Sequence, residues 1–155
     1  MQKILHYLVL ALFIALMACS PQDGALKKLE IVSADGTVRH EYMVETADTH
    51  ETLQHGLMGR SHLAHDSGMI FDTTIVPLDI PVIMWMKDTL IPLDMVFVDD
   101  SGTIFFIYEN AQPNDITPIR PPKRPQAVLE LNAGQVKIYN IQVGDKVKNK
   151  LLNNL

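Results

Sequence analysis

Short apolar segments separated by turn residues run through most of the chain, and this spacing limits the folds open to it. In residues 38–45, mostly apolar or aromatic side chains at the even positions alternate with mostly charged side chains at the odd positions, which is the pattern of a half-buried strand. Asp35 and Gly36 lie just before this run, and an Asp-Gly pair is a strong signal for a hairpin turn. The segments that we expect to form strands are 26–33, 37–46, 82–88, 95–98, 103–108, 127–131 and 141–147.

One short helix is predicted after the second of these strands. Asp48 and Glu51 have the spacing of a capping box, and Gly59 suits the left-handed position that follows a helix. We therefore expect the helix at residues 49–58. The segments between strands are too short for the crossover helices of a doubly wound parallel sheet. The pattern predicts a mainly β domain, a compact sandwich or barrel with one short α-helix.

Residues 1–18 have the composition of a signal peptide. Lys3 is followed by an almost unbroken apolar run that is shorter than the roughly 20 residues needed to span a bilayer. The run ends in L-M-A-C, which resembles a bacterial lipobox and implies that Cys19 becomes the lipidated mature N-terminus. The alternative is an ordinary signal peptide cleaved near Ala18, with Cys19 as a free thiol.

This signal predicts a lipid-anchored protein of the cell envelope. Ser20 follows the cysteine, and by the enterobacterial sorting pattern this favours the outer membrane, on its periplasmic side. We expect a tether at 19–25, one β domain at 26–148 and a frayed tail at 149–155. The formal net charge of −5 argues against nucleic acid as a partner, because phosphate binding needs clustered cations. The expected partners are the membrane and an unknown small ligand or envelope protein.

Four segments carry motifs that occur together in a known family. They are V-E-T-A-D-T with G-L-M-G-R, G-M-I-F, W-M-K-D-T-L-I-P-L-D, and V-L-E-L-N-A-G leading to V-G-D. Over about residues 38–148 the chain resembles the DUF192 family, also called UPF0127. The resemblance implies a compact β sandwich of jelly-roll type with a short helix, and no established activity. The family usually has Asn at the position of Asp88, and some members carry a cysteine in the proline-rich loop, where this chain has none.

The W-M-K-D-T-L-I-P-L-D stretch combines residue types that suit ligand binding. Trp85 and the methionines provide apolar, polarisable walls, and Arg60 and Lys87 can orient an anionic or hydroxylated ligand. If the motifs converge as the resemblance suggests, the site is lined by Met58, Arg60, Met69, Phe71, Trp85, Met86, Lys87, Asp88 and Asp94. The alternative for each residue is structural, with the apolar side chains in the core and Arg60 paired with one of the two aspartates.

Two other functions stay open. A hydrolase-like envelope enzyme would use Asp88, Asp94 and Lys87, but two carboxylates six positions apart around a proline define no particular geometry, so no catalytic residue is assigned. A copper-handling protein would use Met84 and Met86 on one strand face, with Met58, Met69 and Met95 nearby, since thioethers suit Cu(I). No histidine pair has a recognised ligand spacing, and we expect neither a metal site nor a cofactor. Of these classes, a binding domain is favoured over an enzyme.

Overall fold

The structure is a computed structural model that describes residues 25–152. The predicted signal peptide, Cys19 and the tether up to residue 24 lie outside the described residues, as do the last three residues of the chain. Within residues 25–152, no helix is long and apolar enough to cross a membrane.

The part of the chain that the structure describes contains seven strands in one sheet, with short helices between them. The strands follow each other across the sheet in the order β5-β4-β6-β3-β2-β1-β7. Only β2 and β3 are parallel neighbours among these strands, and every other pair is antiparallel. The elements are β1 (Lys27–Val32), β2 (Val38–Ala47), α1 (His50–His55), β3 (Ser67–Asp72), β4 (Leu93–Val98), β5 (Ile104–Ala111), β6 (Ala127–Asn132), α2 (Gln135–Ile138) and β7 (Lys146–Lys148), with single 3-10 turns at Thr73–Ile75 and Lys150–Leu152.

The sheet curls until its two edge strands meet at one end. The backbone N–H of Ile104 donates to the carbonyl of Asp145, and the N–H of Val147 donates to the carbonyl of Gly102, each at 2.8 Å. These bonds satisfy backbone groups that an open edge would leave exposed. The predicted mainly β class is confirmed, but a jelly-roll sandwich is not confirmed, because all strands of the described chain belong to one curled sheet.

Both faces of the sheet are covered, and each face has its own apolar cluster. Strand β4 contributes to both, because Val96 and Val98 point to one side while Met95 and Phe97 point to the other. The inner core fills the curl and includes side chains from β1 through β7. The outer core lies between the sheet and a layer made of α1 and the segments 73–92 and 112–126. The candidate site lies in this outer layer.

The helix is shorter than predicted and is capped by different residues. Thr49 is the N-cap, its hydroxyl accepts from the backbone N–H of Thr52 at 3.1 Å, and the Thr52 hydroxyl accepts from the N–H of Thr49 at 3.0 Å. The predicted capping box of Asp48 and Glu51 is therefore wrong by one position. The helix ends at Gly56, where φ is +50°, rather than at Gly59.

The predicted strand at 82–88 does not form. Met84 makes a single antiparallel bridge to Ile119, and the partner segment contains too many prolines to continue a ladder. The fully buried central strand is the next apolar run, Leu93–Val98. The hairpins β1–β2 and β4–β5 and the strand β6 form where the sequence predicts them.

The end of the domain is more ordered than the sequence suggests. The predicted strand at 141–147 is reduced to β7, which pairs with β1. Residues 149–152, expected to be part of a frayed tail, pack against the domain. Asn149 is fully buried and its Nδ2 donates to the carbonyl of Lys28 at 2.9 Å, while Leu151 and Leu152 contact the inner core.

Candidate functional site

A cleft of about 90 Å³ opens in the outer layer between the end of α1 and the segment that contains Trp85. Its volume corresponds to about three water molecules at roughly 30 Å³ each. The residues that line it are Leu53, Gln54, His55, Gly56, Leu57, Met58, Phe71, Ile83, Met84, Trp85, Thr89 and Glu130.

Backbone contacts hold the two walls of the cleft together. The N–H of Gly59, just after α1, donates to the carbonyl of Asp88 at 2.8 Å, and the N–H of Thr89 closes a turn onto the carbonyl of Met86 at 3.1 Å. Gly56 allows the helix to approach the sheet, because a Cβ at this position would lie 3.1 Å from the Phe71 ring. These backbone contacts fix the position of the two walls relative to each other.

Trp85 is the wall residue that faces solvent. Trp85 is 48% exposed, whereas a tryptophan that packs in a core is largely buried. It also borders a shallower groove beside the cleft, which is lined by Glu51, Gln54, His55, Met58, Trp85 and Lys87. An exposed indole that borders both concavities offers a flat apolar surface to a bound molecule.

Glu130 lies at the floor of the cleft and is a functional candidate that the sequence analysis missed. It is 4% exposed and projects from the same face of β6 as Val128, between Met69 of β3 and Met95 of β4 in the strand register. Among residues 25–152, no group donates a hydrogen bond to its carboxyl group or forms an ion pair with it. Burial raises the pKa of Glu130 to about 8, so the carboxyl is mostly protonated at neutral pH.

The sequence contained one signal for Glu130. It is the only charged residue in the run A-V-L-E-L, and strand alternation alone would assign it to a solvent face. Both faces of β6 are covered, however, so a charged residue at this position is buried.

Three of the predicted site residues line the cleft, namely Met58, Phe71 and Trp85. Met69 and Met86 are buried in the outer core and do not line the cleft. Of these five apolar side chains, three therefore form part of the cleft wall and two pack in the outer core without lining the cleft.

The charged residues predicted for the site lie elsewhere. Arg60 makes two hydrogen bonds to the carboxylate of Glu45, and this contact raises the pKa of Arg60. Lys87 borders only the shallow groove, and its Nζ is 4.0 Å from the Oδ2 of Asp88. The expected pairing of Arg60 with Asp88 or Asp94 does not occur. No lysine or arginine is among the residues that line the cleft.

Asp94 has a structural role on the other side of the sheet. Its Oδ1 accepts from the backbone N–H of Asn110 at 2.9 Å, and its Oδ2 accepts from the N–H of Val136 at 3.0 Å. The first bond supports an irregularity in the pairing of β4 with β5, and the second supports the first turn of α2. Because it is fully buried and points away from the outer layer, Asp94 is not near the cleft.

Asp88 occupies a turn that restricts which residues fit. Its φ is +53°, a left-handed conformation that Asn, Asp and Gly adopt more readily than other residues. Its side chain is exposed, and its carbonyl accepts the bond from Gly59 that holds the cleft walls together. The residue therefore acts through its backbone.

Comparison with known proteins places the chain in a family. The model of DUF192, described as "Uncharacterized ACR", matches residues 30–149. The chain belongs to the DUF192 family. The comparison with curated proteins finds no match.

Two solved structures are similar to this DUF192 domain. One is a protein of Sinorhizobium meliloti 1021 described as a "putative transcription regulator", with 38% identity, a TM-score of 0.75, and coverage of 82% of this chain and 95% of that one. The other is a protein of unknown function from Novosphingobium aromaticivorans DSM 12444, with 33% identity, a TM-score of 0.74, and coverage of 83% and 89%. These relatives support the mainly β fold and give no specific activity.

Two arrangements that the alternative functions would use do not form among residues 25–152. Asp88 is exposed in a turn and Asp94 is buried on the opposite face, so the two carboxylates do not face a common point. Met84 and Met86 do not share a strand face, because the strand at 82–88 is absent. Within residues 25–152, no three His, Cys, Asp or Glu side chains come together as metal ligands.

Proposed function

We propose that this protein is a ligand-binding module of the cell envelope, anchored to the membrane through a lipid on Cys19, and that its ligand occupies the cleft beside Trp85. The observation that carries the proposal is the pairing of a half-exposed tryptophan with a buried carboxyl group that none of the described residues pairs with. Both residues border one small concave site whose walls are held by backbone hydrogen bonds.

The physical argument rests on the cost of burying Glu130. A polar group largely removed from water without a hydrogen-bond partner costs up to roughly 1–3 kcal/mol, and the carboxyl oxygens of Glu130 keep contact with solvent only through the cleft. A plain core position would be more stable with an apolar residue of the same size. A ligand that contacts the carboxyl group would offset this cost. Ligand binding therefore accounts for a glutamate at this position, whereas packing alone does not.

The lipoprotein part of the proposal rests on the L-M-A-C sequence at the end of the apolar run. The segment from Cys19 to the start of β1 would hold the domain close to the lipid surface, since the whole tether extends on the order of 20 Å. Labelling with a radioactive or alkyne-bearing palmitate tests this, and Cys19→Ala should abolish incorporation while Ser20→Ala retains it. Equal labelling of both variants would refute the anchor.

The binding part is tested by identifying what the protein carries. Full-length protein purified in a non-ionic detergent and examined by native mass spectrometry should retain a small molecule that Trp85→Ala and Glu130→Gln each reduce. Leu78→Ala is a suitable control, because Leu78 is 88% exposed and lines neither the cleft nor the groove beside it. If no molecule depends on Trp85 or Glu130, the site assignment is wrong.

We do not extend transcription regulation, the description of the Sinorhizobium protein, to this chain. Its formal net charge is −5, and Arg60 is already engaged by Glu45. Binding to the phosphate backbone would require a cluster of free cations on one face.

A further inference from the structure

We infer that the ligand of this cleft is a small organic cation, a protonated amine, held between the carboxylate of Glu130 and the face of Trp85. The inference rests on the proposed function and adds the chemical class of the ligand. It also replaces the expectation of an anionic or hydroxylated ligand, which depended on Arg60 and Lys87 being in the site.

The first step is the charge of the lining. Glu130 is the only acidic residue of the cleft wall, and His55 is the only basic residue there. The neighbouring groove adds Glu51 and Lys87, which lie outside the cleft. An anion in the cleft would lose its hydration without meeting a lysine or arginine, whereas a cation would meet a carboxylate within a low-dielectric site.

The second step is the chemical character of the side chains that form the walls. Trp85 and Phe71 present aromatic rings, and Met58 and Met84 present polarisable thioethers. An ammonium group over an aromatic face is attracted by the ring quadrupole, most strongly by tryptophan. An alkyl chain attached to the ammonium group would lie against the thioethers.

The third step is size. About 90 Å³ accommodates an ammonium group with a few carbon atoms. Larger ligands would have to extend into the shallow groove, which shares Gln54, His55, Met58 and Trp85 with the cleft. The amine end of a longer molecule therefore fits the cleft while its remainder lies along the groove.

Proton balance follows from the environment of the carboxyl group. Burial favours the protonated form of Glu130 in the free protein, since its pKa is raised to about 8. When R–NH₃⁺ enters, the carboxyl O–H bond breaks, the carboxylate pairs with the ammonium group, and the proton passes to the buffer. Binding at neutral pH should therefore release up to one proton per protein. A neutral hydroxyl ligand would bind the protonated carboxyl and release none.

The experiment compares three molecules of nearly the same shape: n-butylammonium, 1-butanol and butyrate. Trp85 is the only tryptophan in the chain, so its fluorescence in the full-length protein reports occupancy of the cleft directly. Calorimetry at pH 7 in phosphate and in MOPS, which have different ionisation enthalpies, measures proton release. We expect butylammonium to bind at least about tenfold more tightly than the other two, with proton release.

Two variants separate the contributions. Glu130→Gln should weaken butylammonium binding about tenfold or more and abolish proton release. Trp85→Leu removes the fluorophore, so its binding is measured by calorimetry. At this half-exposed position the substitution should reduce the preference for the cation while leaving the far-ultraviolet circular dichroism unchanged. Equal binding of the three molecules, or an unchanged amine affinity in Glu130→Gln, would overturn the inference.

The failure of the inference is distinguishable from failure of the proposed function. If a co-purified molecule depends on Trp85 and Glu130 but is neutral or anionic, the cleft is a ligand site and the cation assignment is wrong. If neither a co-purified molecule nor any of the three probes responds to these variants, both are wrong.

Discussion

Replacing Glu130 with Gln should make the folded protein more stable at high pH and change its stability little at low pH. Gln is nearly isosteric with Glu and cannot ionise. In the wild-type protein, burial raises the pKa of Glu130 from 4.5 to about 8, because no group in the described chain compensates a negative charge there. Ionisation of this carboxyl group therefore opposes folding, and the substitution removes that opposition.

The sign and size follow from proton linkage. Between pH 4.5 and about 8, the folded protein holds a proton on Glu130 that the unfolded chain has lost. The free energy of unfolding therefore falls as pH rises, by up to about 1.4 kcal/mol per pH unit in this window. Between pH 5 and pH 8, the wild-type protein should lose about 3 kcal/mol more stability than Glu130→Gln does.

The assay is urea denaturation of the chain without residues 1–19, followed by circular dichroism at both pH values. Taking the difference between variant and wild type cancels every other titrating group. Glu109→Gln is the control, because Glu109 is exposed on β5 and its replacement should follow the wild-type pH dependence. A difference between Glu130→Gln and wild type that stays constant from pH 5 to pH 8 would refute the assignment of Glu130 as a buried, unpartnered carboxyl group.

Three further substitutions test the arrangement around the site. Asp94→Asn should lower the free energy of unfolding by about 2 kcal/mol in urea denaturation, because the new side-chain amide N–H would face one of the two backbone N–H groups that now donate to Asp94. An unchanged free energy of unfolding would contradict the structural role of Asp94. Gly56→Ala should lower the free energy of unfolding by about 1–2 kcal/mol and weaken ligand binding, because φ is +50° and the new Cβ would crowd Phe71. An unchanged ligand affinity would argue against the cleft as the binding site. Asp88→Val should lower the free energy of unfolding by about 1–2 kcal/mol, whereas Asp88→Gly should be tolerated, because the backbone at this position is left-handed. Equal thermal stability of the two variants would contradict this backbone requirement.

Much of the strand framework could be predicted because its signals are local. The Asp35-Gly36 turn and the loop before Thr103 specify hairpins within a few residues, and both hairpins form. The strand at 82–88 was wrong because its ability to pair depends on a distant partner. Its neighbour in space is the proline-rich segment around Ile119, which can offer only one bridge.

The candidate site was predicted only in part for a similar reason. Trp85 was found by its residue type, but its exposure could not be read from a run of apolar neighbours. Arg60 was expected in the site, yet Glu45 on the adjacent end of β2 engages it. Glu130 was missed because burial on both faces of β6 is a property of the whole sheet, and alternation along one strand does not reveal it.

The most direct test of the account is the titration of the Glu130 carboxyl carbon by nuclear magnetic resonance, assigned by comparison with Glu130→Gln. The account predicts a midpoint near pH 8 in the free protein and a lower midpoint when butylammonium saturates the cleft. A midpoint near the ordinary value of 4.5 that the amine does not change would contradict it.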